Sequence, residues 1–442
     1  MSCRIAVFGT GYLGATHAAC MAELGHEVLG VDVDEAKLEK LAAGEVPFYE
    51  PGLDEVLRRN IDAGRLKFTS SYSEAAEFAT VHFIGVGTPQ RKGEFAADVS
   101  YVDSVIENLA PLLTEPAVIF GKSTVPVGTA SRLADRVREL APAADDIDLA
   151  WNPEFLREGF AVQDTLQPDR LVLGVDQVRP GRAVDIAREV YAKLLEDNTP
   201  FLVTDLATAE LVKISANAFL ATKISFINAM AEVCDAAGAD VMVLADAIGM
   251  DARIGRKFLN AGIGFGGGCL PKDIRAFMAR AGEIGADEAL TFLREVDSIN
   301  MRRRTRMVES VRDLLGGSLL GQRVAVLGSA FKPNSDDVRD SPALNIAGQI
   351  QLQGASVTVF DPKAMENSRA VFPTLGYAPT IKDACIGADA VLVLTEWEEF
   401  RKLAPSDIDS VVRQKNIIDG RNCLSPQQWR EKGWTYKAQG RP

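Results

Sequence analysis

The chain has 442 residues, 47% hydrophobic and 25% charged, an ordinary globular composition that excludes a disordered chain and suggests about three domains. A net charge of −13 argues against a general nucleic-acid binder, which needs a basic face, but leaves room for a small anionic ligand held by a few local Lys or Arg. No apolar run approaches the ~20 residues of a bilayer span, nothing at the start resembles a cleavable signal peptide, and six scattered cysteines form no disulfide framework, so a cytoplasmic protein off the membrane is expected.

Short β-branched or aromatic runs predict strands at Arg4–Phe8, Glu27–Asp32, Val81–Val86, Ala117–Phe120 and Leu171–Val175. Helical patterns lie between them, the signature of a mostly parallel α/β sheet. From Thr204 to Leu315 helical periodicity dominates, beginning with Ala207–Ala237, which contains no Gly or Pro. Arg302, Arg303, Arg304 and Arg306 read as a solvated helix face in this region. After Gly321 the alternation restarts, with strands expected at Arg323–Leu327, Ser356–Phe360, Ala390–Leu394 and Asn416–Asp419, and the polar tail after Trp434 expected to fray. Only three histidines occur, His17, His26 and His82, so acid–base chemistry elsewhere must use Lys, Asp, Glu or Cys.

Gly9-Thr10-Gly11-Tyr12-Leu13-Gly14 is a G-x-G-x-x-G that follows a strand and opens a helix rich in Ala. The first Gly permits the turn, the second lets a pyrophosphate approach the backbone, and the third lets helix and sheet pack closely. The helix N-terminus offers free N–H groups and partial positive charge to phosphates. Asp32 ends the next strand at the spacing of the acid that holds a ribose 2′-hydroxyl and would repel a 2′-phosphate, so NAD is expected over NADP, with Lys37 a cation that softens that preference. The fold class predicted is therefore α/β: two Rossmann-like domains, at 1–203 and 316–442, joined by a long central helix and a helical middle domain at 204–315. That helix is a plausible oligomerisation element, and no metal is expected.

The segment from Gly262 to Asp273 places five glycines in seven residues ahead of Cys269. Pro271 fits the first turn of a helix, and Ile274, Phe277, Met278 and Ala281 mark its buried stripe. Cys269 would then lie at a helix N-terminus, which favours the thiolate, with Asp273 one turn on. A nucleophilic cysteine in a dehydrogenase points to oxidation at the aldehyde level, through a thiohemiacetal and a thioester. The other five cysteines read as structural. Lys213 and Asn217 stand at i and i+4 on the long helix, and Ser123–Gly128 and Asn152–Glu158 follow strand-like segments, at the sheet end where α/β proteins bind ligands.

Taken in order, GTGYLG, GTP, KSTVPVG, NPEFLRE, KISAN, RIG, GFGGGCLPKD, FKPNSDDVRDSPA and DGRN closely resemble the nucleotide-sugar 6-dehydrogenases over nearly the whole chain. The resemblance implies two successive oxidations by NAD that convert a sugar CH₂OH to a carboxylate, with UDP-glucose the expected substrate. It implies Cys269 as nucleophile, Lys213 with Asn217 on the oxyanion, Thr124 and Asp273 positioning a water, and Glu154 as a base for hydrolysis. For the cofactor it points to the fingerprint residues with Asp32, Lys37, Thr88, Thr124, Glu158 and Arg339. For the sugar nucleotide it points to Glu154, Phe155, Leu156, Arg157, Glu158, Lys213, Asn217, Phe258, Leu259, Asn260, Gly266, Lys332 and Arg421, with Arg253 reaching in from a neighbouring subunit of a homodimer. Asn260 departs from a lysine found in some relatives. Gly328-Ser329-Ala330-Phe331 stands where a second fingerprint would, so no second NAD is expected in the C-terminal lobe, which would bind the uridine diphosphate. GDP-mannose, a UDP-N-acetylhexosamine, a single-step 3-hydroxyacid oxidation and a non-catalytic nucleotide-binding role remain open alternatives at this point.

Overall fold

The computed structural model describes residues 2–179 and 181–441; Met1, Pro180 and Pro442, which fall in the two expected outer domains, lie outside them. By contacts the chain divides into two units, residues 1–216 with 275–284, and residues 217–274 with 285–442.

The first unit holds eight strands: β1 (Arg4–Phe8), β2 (Glu27–Val31), β3 (Leu66–Thr69), β4 (Val81–Ile84), β5 (Ala117–Gly121), β6 (Ile147–Trp151), β7 (Leu171–Val175) and β8 (Phe201–Asp205). Their order is β3-β2-β1-β4-β5-β6-β7-β8, parallel except for one antiparallel bridge between β6 and β7. Alternate residues of β1 serve opposite faces, Ile5 and Val7 packing in one core and Ala6 and Phe8 in the other. Helices cover both faces, as a parallel sheet requires. The Tyr12–Glu23 helix buries Ala15, Ala18, Ala19 and Ala22, whose short side chains let it lie close to the sheet.

The second unit holds β9 (Arg323–Leu327), β10 (Ser356–Phe360), β11 (Gly376–Tyr377), β12 (Ala390–Val393), β13 (Asn416–Asp419) and β14 (Thr435–Ala438), all parallel in the order β11-β10-β9-β12-β13-β14. Counted from its first strand, that order repeats the first six positions of the other sheet, so the chain carries two Rossmann-like sheets with a helical stretch between them in sequence. The long helix runs Leu206–Ala237, one residue longer than expected.

Two expectations are corrected. The tail after Trp434 does not fray: Thr435–Ala438 pairs with β13 and buries Tyr436. The arginine run is a solvated face only in part: Arg302 and Arg306 are exposed, whereas Arg303 and Arg304 are buried on the Thr291–Leu314 helix. Glu232 of the long helix accepts ion pairs from Arg302, Arg303 and Arg306, and Asp340 takes Arg304 at 2.8 Å. The partners lie far away in sequence, so the run alone cannot reveal them.

Candidate functional site

In the first unit the fingerprint glycines divide the work as the motif predicts. Gly9 has φ +88°, and a Cβ there would meet the Val86 backbone at 2.9 Å. A Cβ on Gly14 would fall 1.7 Å from the Gly9 carbonyl oxygen, so helix and turn close only on glycine. Gly11, at the N-cap of the helix, is exposed, and a Cβ built there would have nothing within 4 Å, so its steric surroundings differ from those of Gly9 and Gly14.

Asp32 follows β2. Its Oδ2 accepts from the Thr10 amide (2.7 Å), the Thr10 hydroxyl (2.9 Å) and Lys37 Nζ (3.0 Å), and its Oδ1 from the Asp34 amide. Burial alone would raise this carboxyl, but the Thr10 amide and the Lys37 ammonium outweigh it and hold the group below its usual range. Oδ1 keeps acceptor capacity for a further hydroxyl. Lys37 thus closes on Asp32 itself, which limits its freedom to favour a 2′-phosphate.

Tyr12, the first residue of the helix, is bonded through its hydroxyl to the buried Glu50. Glu50 also accepts from the amides of Gly159 (2.6 Å) and Ala161 (2.7 Å), so one carboxylate ties the fingerprint to the loop that follows β6. That loop carries Glu154, whose Oε1 lies 2.9 Å from Lys213 Nζ and whose Oε2 accepts from the Leu156 amide. Both members of the pair are largely buried, at 13% and 8% side-chain exposure, which makes it an ion pair little screened by water. Phe155 stacks under the Arg170 guanidinium at 3.8 Å, and Arg157 is turned outward on Asp164. Glu158 is half-buried in the same loop. The Thr88 hydroxyl donates to the Thr124 carbonyl (2.7 Å), joining the segments after β4 and β5. Glu210, one turn before Lys213, accepts from the Gly128 and Ala130 amides. Burial raises its carboxyl to about 7.

In the second unit residues 261–267 are buried and Cys269 is exposed. It directly precedes the Leu270–Glu283 helix, and its carbonyl accepts from the Asp273 amide at 2.9 Å, the first helical bond. The bulk that the glycines accommodate is the chain itself. A Cβ on Gly266 would meet the Asp340 carbonyl at 2.3 Å, one on Gly267 the Phe331 ring at 2.8 Å, and one on Gly268 the Arg339 guanidinium at 2.4 Å. Asn300 pairs with both the amide and the carbonyl of Phe265. Asp273 is buried, accepting from Asn217 Nδ2 at 2.7 Å and pairing with Lys272 at 2.7 Å.

Arg421 donates to the carbonyls of Leu394, Gly264 and Phe331, holding this loop to the carboxyl end of β12. Arg339 is held by Asp337, and Lys332 Nζ lies 5.3 Å from the Phe331 ring centre. Phe258 has φ +67°, a conformation that costs a bulky residue about 1–3 kcal/mol. Leu259 is buried, Asn260 accepts from Arg256, and Arg253 is 89% exposed beside Asp251.

The sequence matches the models of the UDP-glucose/GDP-mannose dehydrogenase family over residues 3–195 for the NAD binding domain, 207–302 for the central domain and 325–426 for the UDP binding domain. A UDP-glucose 6-dehydrogenase of Rhizobium meliloti (strain 1021) is 42% identical over 99% of this chain and 100% of its own length. The chain belongs to the UDP-glucose/GDP-mannose dehydrogenase family. Its fold is close to that of a UDP-glucose dehydrogenase from Pyrobaculum islandicum, with TM-score 0.90 at 37% identity over 99% of this chain and 97% of that one. A UDP-D-ManNAc dehydrogenase from Pyrococcus horikoshii follows at TM-score 0.86 and 27% identity, covering 99% of each chain.

As a family member the chain carries an NAD-binding domain and a UDP-binding domain. The two Rossmann-like lobes differ at the acid after the second strand. Asp361 takes the place in the C-terminal lobe that Asp32 takes in the first. It is buried, and it accepts from the amides of Ser329, Ala330, Lys363 and Ala364 and from the Trp397 indole. That carboxylate is occupied by the chain, whereas Asp32 retains capacity. Asp32→Ala is expected to weaken NAD binding by about ten-fold and to narrow the preference over NADP, measured as the ratio of the two dissociation constants. An unchanged ratio would remove Asp32 from the ribose.

The sequence patterns do not single out Glu50, Asn300 or the buried Lys122. The signal for Lys122 was slight: a lysine closing an apolar strand just ahead of Ser123 and Thr124. All three histidines are buried, and burial lowers His82 to about 4, in keeping with chemistry carried by other residues.

Proposed function

We propose that the protein oxidises UDP-glucose to UDP-glucuronate in two NAD-dependent steps through a covalent intermediate on Cys269. The observation that carries this is an exposed thiol at the N-terminus of a 14-residue helix, in a chain alike over its full length to UDP-glucose 6-dehydrogenases. NAD, held by the fingerprint with Asp32, Thr88 and Thr124, supplies the electron-pair acceptor.

The C6 alcohol gives up two electrons and two protons and becomes an aldehyde. The Cys269 thiolate adds to that carbon, forming a C–S bond and placing negative charge on oxygen, which Lys213 and Asn217 stabilise as an ammonium and an amide donor. A second two-electron oxidation of the same carbon leaves a thioester. Water, activated by Glu154 or Asp273, adds to it; the C–S bond breaks, thiolate departs and the carboxylate remains. Thr124 positions that water.

Glu154–Glu158, Lys213, Asn217, Phe258–Asn260, Gly266, Lys332 and Arg421 are assigned to the sugar nucleotide, and Lys37, Arg339 and again Glu158 to the cofactor. Turnover assays with UDP-glucose, GDP-mannose and a UDP-N-acetylhexosamine test the substrate; preference for either of the latter would reject it.

We further propose a homodimer as the working unit. Phe219, Phe226 and Val233 are exposed at seven-residue spacing on the long helix, a stripe that a second copy would cover. Phe226→Asp is expected to shift the dimer to monomer in analytical ultracentrifugation. Retention of the dimer would place the interface elsewhere.

A further inference from the structure

Lys122, at the end of β5, is buried, and among the described residues no carboxylate lies at ion-pair distance from its ammonium. Its Nζ donates to Asn152 Oδ1 at 2.9 Å, lies 3.5 Å from the Tyr191 hydroxyl, and faces the rings of Phe83 and Tyr191 at 5.8 and 5.9 Å. Asn152 does not need the lysine, since the Tyr191 hydroxyl already donates to its Oδ1 at 2.6 Å and its amide donates to the Val172 carbonyl. A buried charge that its neighbours do not require is costly to retain for packing alone.

Asn152, the acceptor for Lys122, stands two residues before Glu154 in the loop after β6, and Glu154 pairs with Lys213 at 2.9 Å, so the lysine is tied to the segment that carries this pair and feels both charges. Those two form an ion pair that is neutral as a unit, so by itself it offers a developing oxyanion only a dipole. With Lys122, two ammonium groups stand against one carboxylate, and the cluster carries one net positive charge. We propose that Lys122 is a positioning residue whose ammonium, acting through Glu154 and Lys213, gives this cluster the net positive charge that stabilises oxyanion formation. This inference rests on the covalent function proposed above.

The titratable groups that act on Lys122 are Glu154 and Lys213 by their charge, the Tyr191 phenol at 3.5 Å, whose ionisation burial suppresses, and His17, which burial keeps neutral. Burial brings the lysine down to about 8 from 10.5. Its charge is therefore present below about 8 and lost above it.

The test compares wild type, Lys122→Met and Lys122→Arg. Wild-type turnover of UDP-glucose reports on the function itself; the ratios between variants report on Lys122. In Lys122→Met, kcat should fall about ten-fold at pH 7 with KM little changed, and the gap to wild type should close as pH rises through 8. Lys122→Arg keeps its charge at all these pH values, so its kcat should not lose ground through that range.

Thermal melting gives a readout independent of turnover. Below pH 8 the wild type bears a buried charge and Lys122→Met does not, so the variant should melt no lower than wild type. Wild type should gain on it between pH 8 and 10.5, where the unfolded chain holds the proton and the folded chain does not. A pH-independent loss of kcat with a lowered melting temperature would mark a packing role and overturn the proposal, as would unchanged kcat in Lys122→Met.

Discussion

Cys269→Ser is expected to lower steady-state formation of the acid by about a thousand-fold or more while leaving NAD binding intact. Serine is nearly isosteric, so the loop should be undisturbed: residues 261–267 are buried and held by Asn300, Arg421 and the Arg339 carbonyl. What changes is nucleophilicity. A helix N-terminus favours an anion at this position, but a hydroxyl remains protonated at neutral pH where a thiol can ionise. The first oxidation needs no covalent bond to the enzyme and the second does. The variant should therefore stall after aldehyde is made, which quench and mass analysis of the bound sugar nucleotide would detect. Near-normal acid formation would refute the covalent route.

Lys213→Met should be almost as damaging, lowering kcat by about 10²–10³-fold, the usual effect of removing a preorganised oxyanion partner. It also leaves Glu154 largely buried without its cation, and breaking a buried pair from one side costs about 3–5 kcal/mol. Lost activity could then reflect lost folding. Lys213→Met combined with Glu154→Gln separates the two effects, because removing both charges should restore most of the melting temperature. If kcat recovers with it, Lys213 serves the fold; if kcat of the double variant stays well below that of Glu154→Gln alone, Lys213 serves the chemistry.

The features legible in the sequence were those in which local chemistry leaves little choice. The fingerprint could be read glycine by glycine because each position answers to a different steric demand. Central strands such as β1, apolar after Arg4, and β12, apolar throughout, were visible as apolar runs buried on both faces. β6 was visible only as a strand-like segment ahead of Asn152, and the four sheet edges, β3, β8, β11 and β14, escaped. Each edge is partly exposed, and all but β8, which begins Phe-Leu-Val, are very short or mixed with polar residues.

The site shows the same division. Cys269 stood out because glycines and a helix start surround it, whereas Lys122 lies at a strand end whose burial depends on Asn152 and Tyr191, 30 and 69 residues onward. Buried Arg303 looked solvated because Glu232, its partner, lies 71 residues upstream, and buried Arg304 because Asp340 lies 36 residues downstream.

The most direct measurement is the number of NADH molecules formed for each UDP-glucose consumed to completion. The covalent mechanism predicts two, with UDP-glucuronate as the product. One NADH with an aldehyde or ketone as the final product would contradict it.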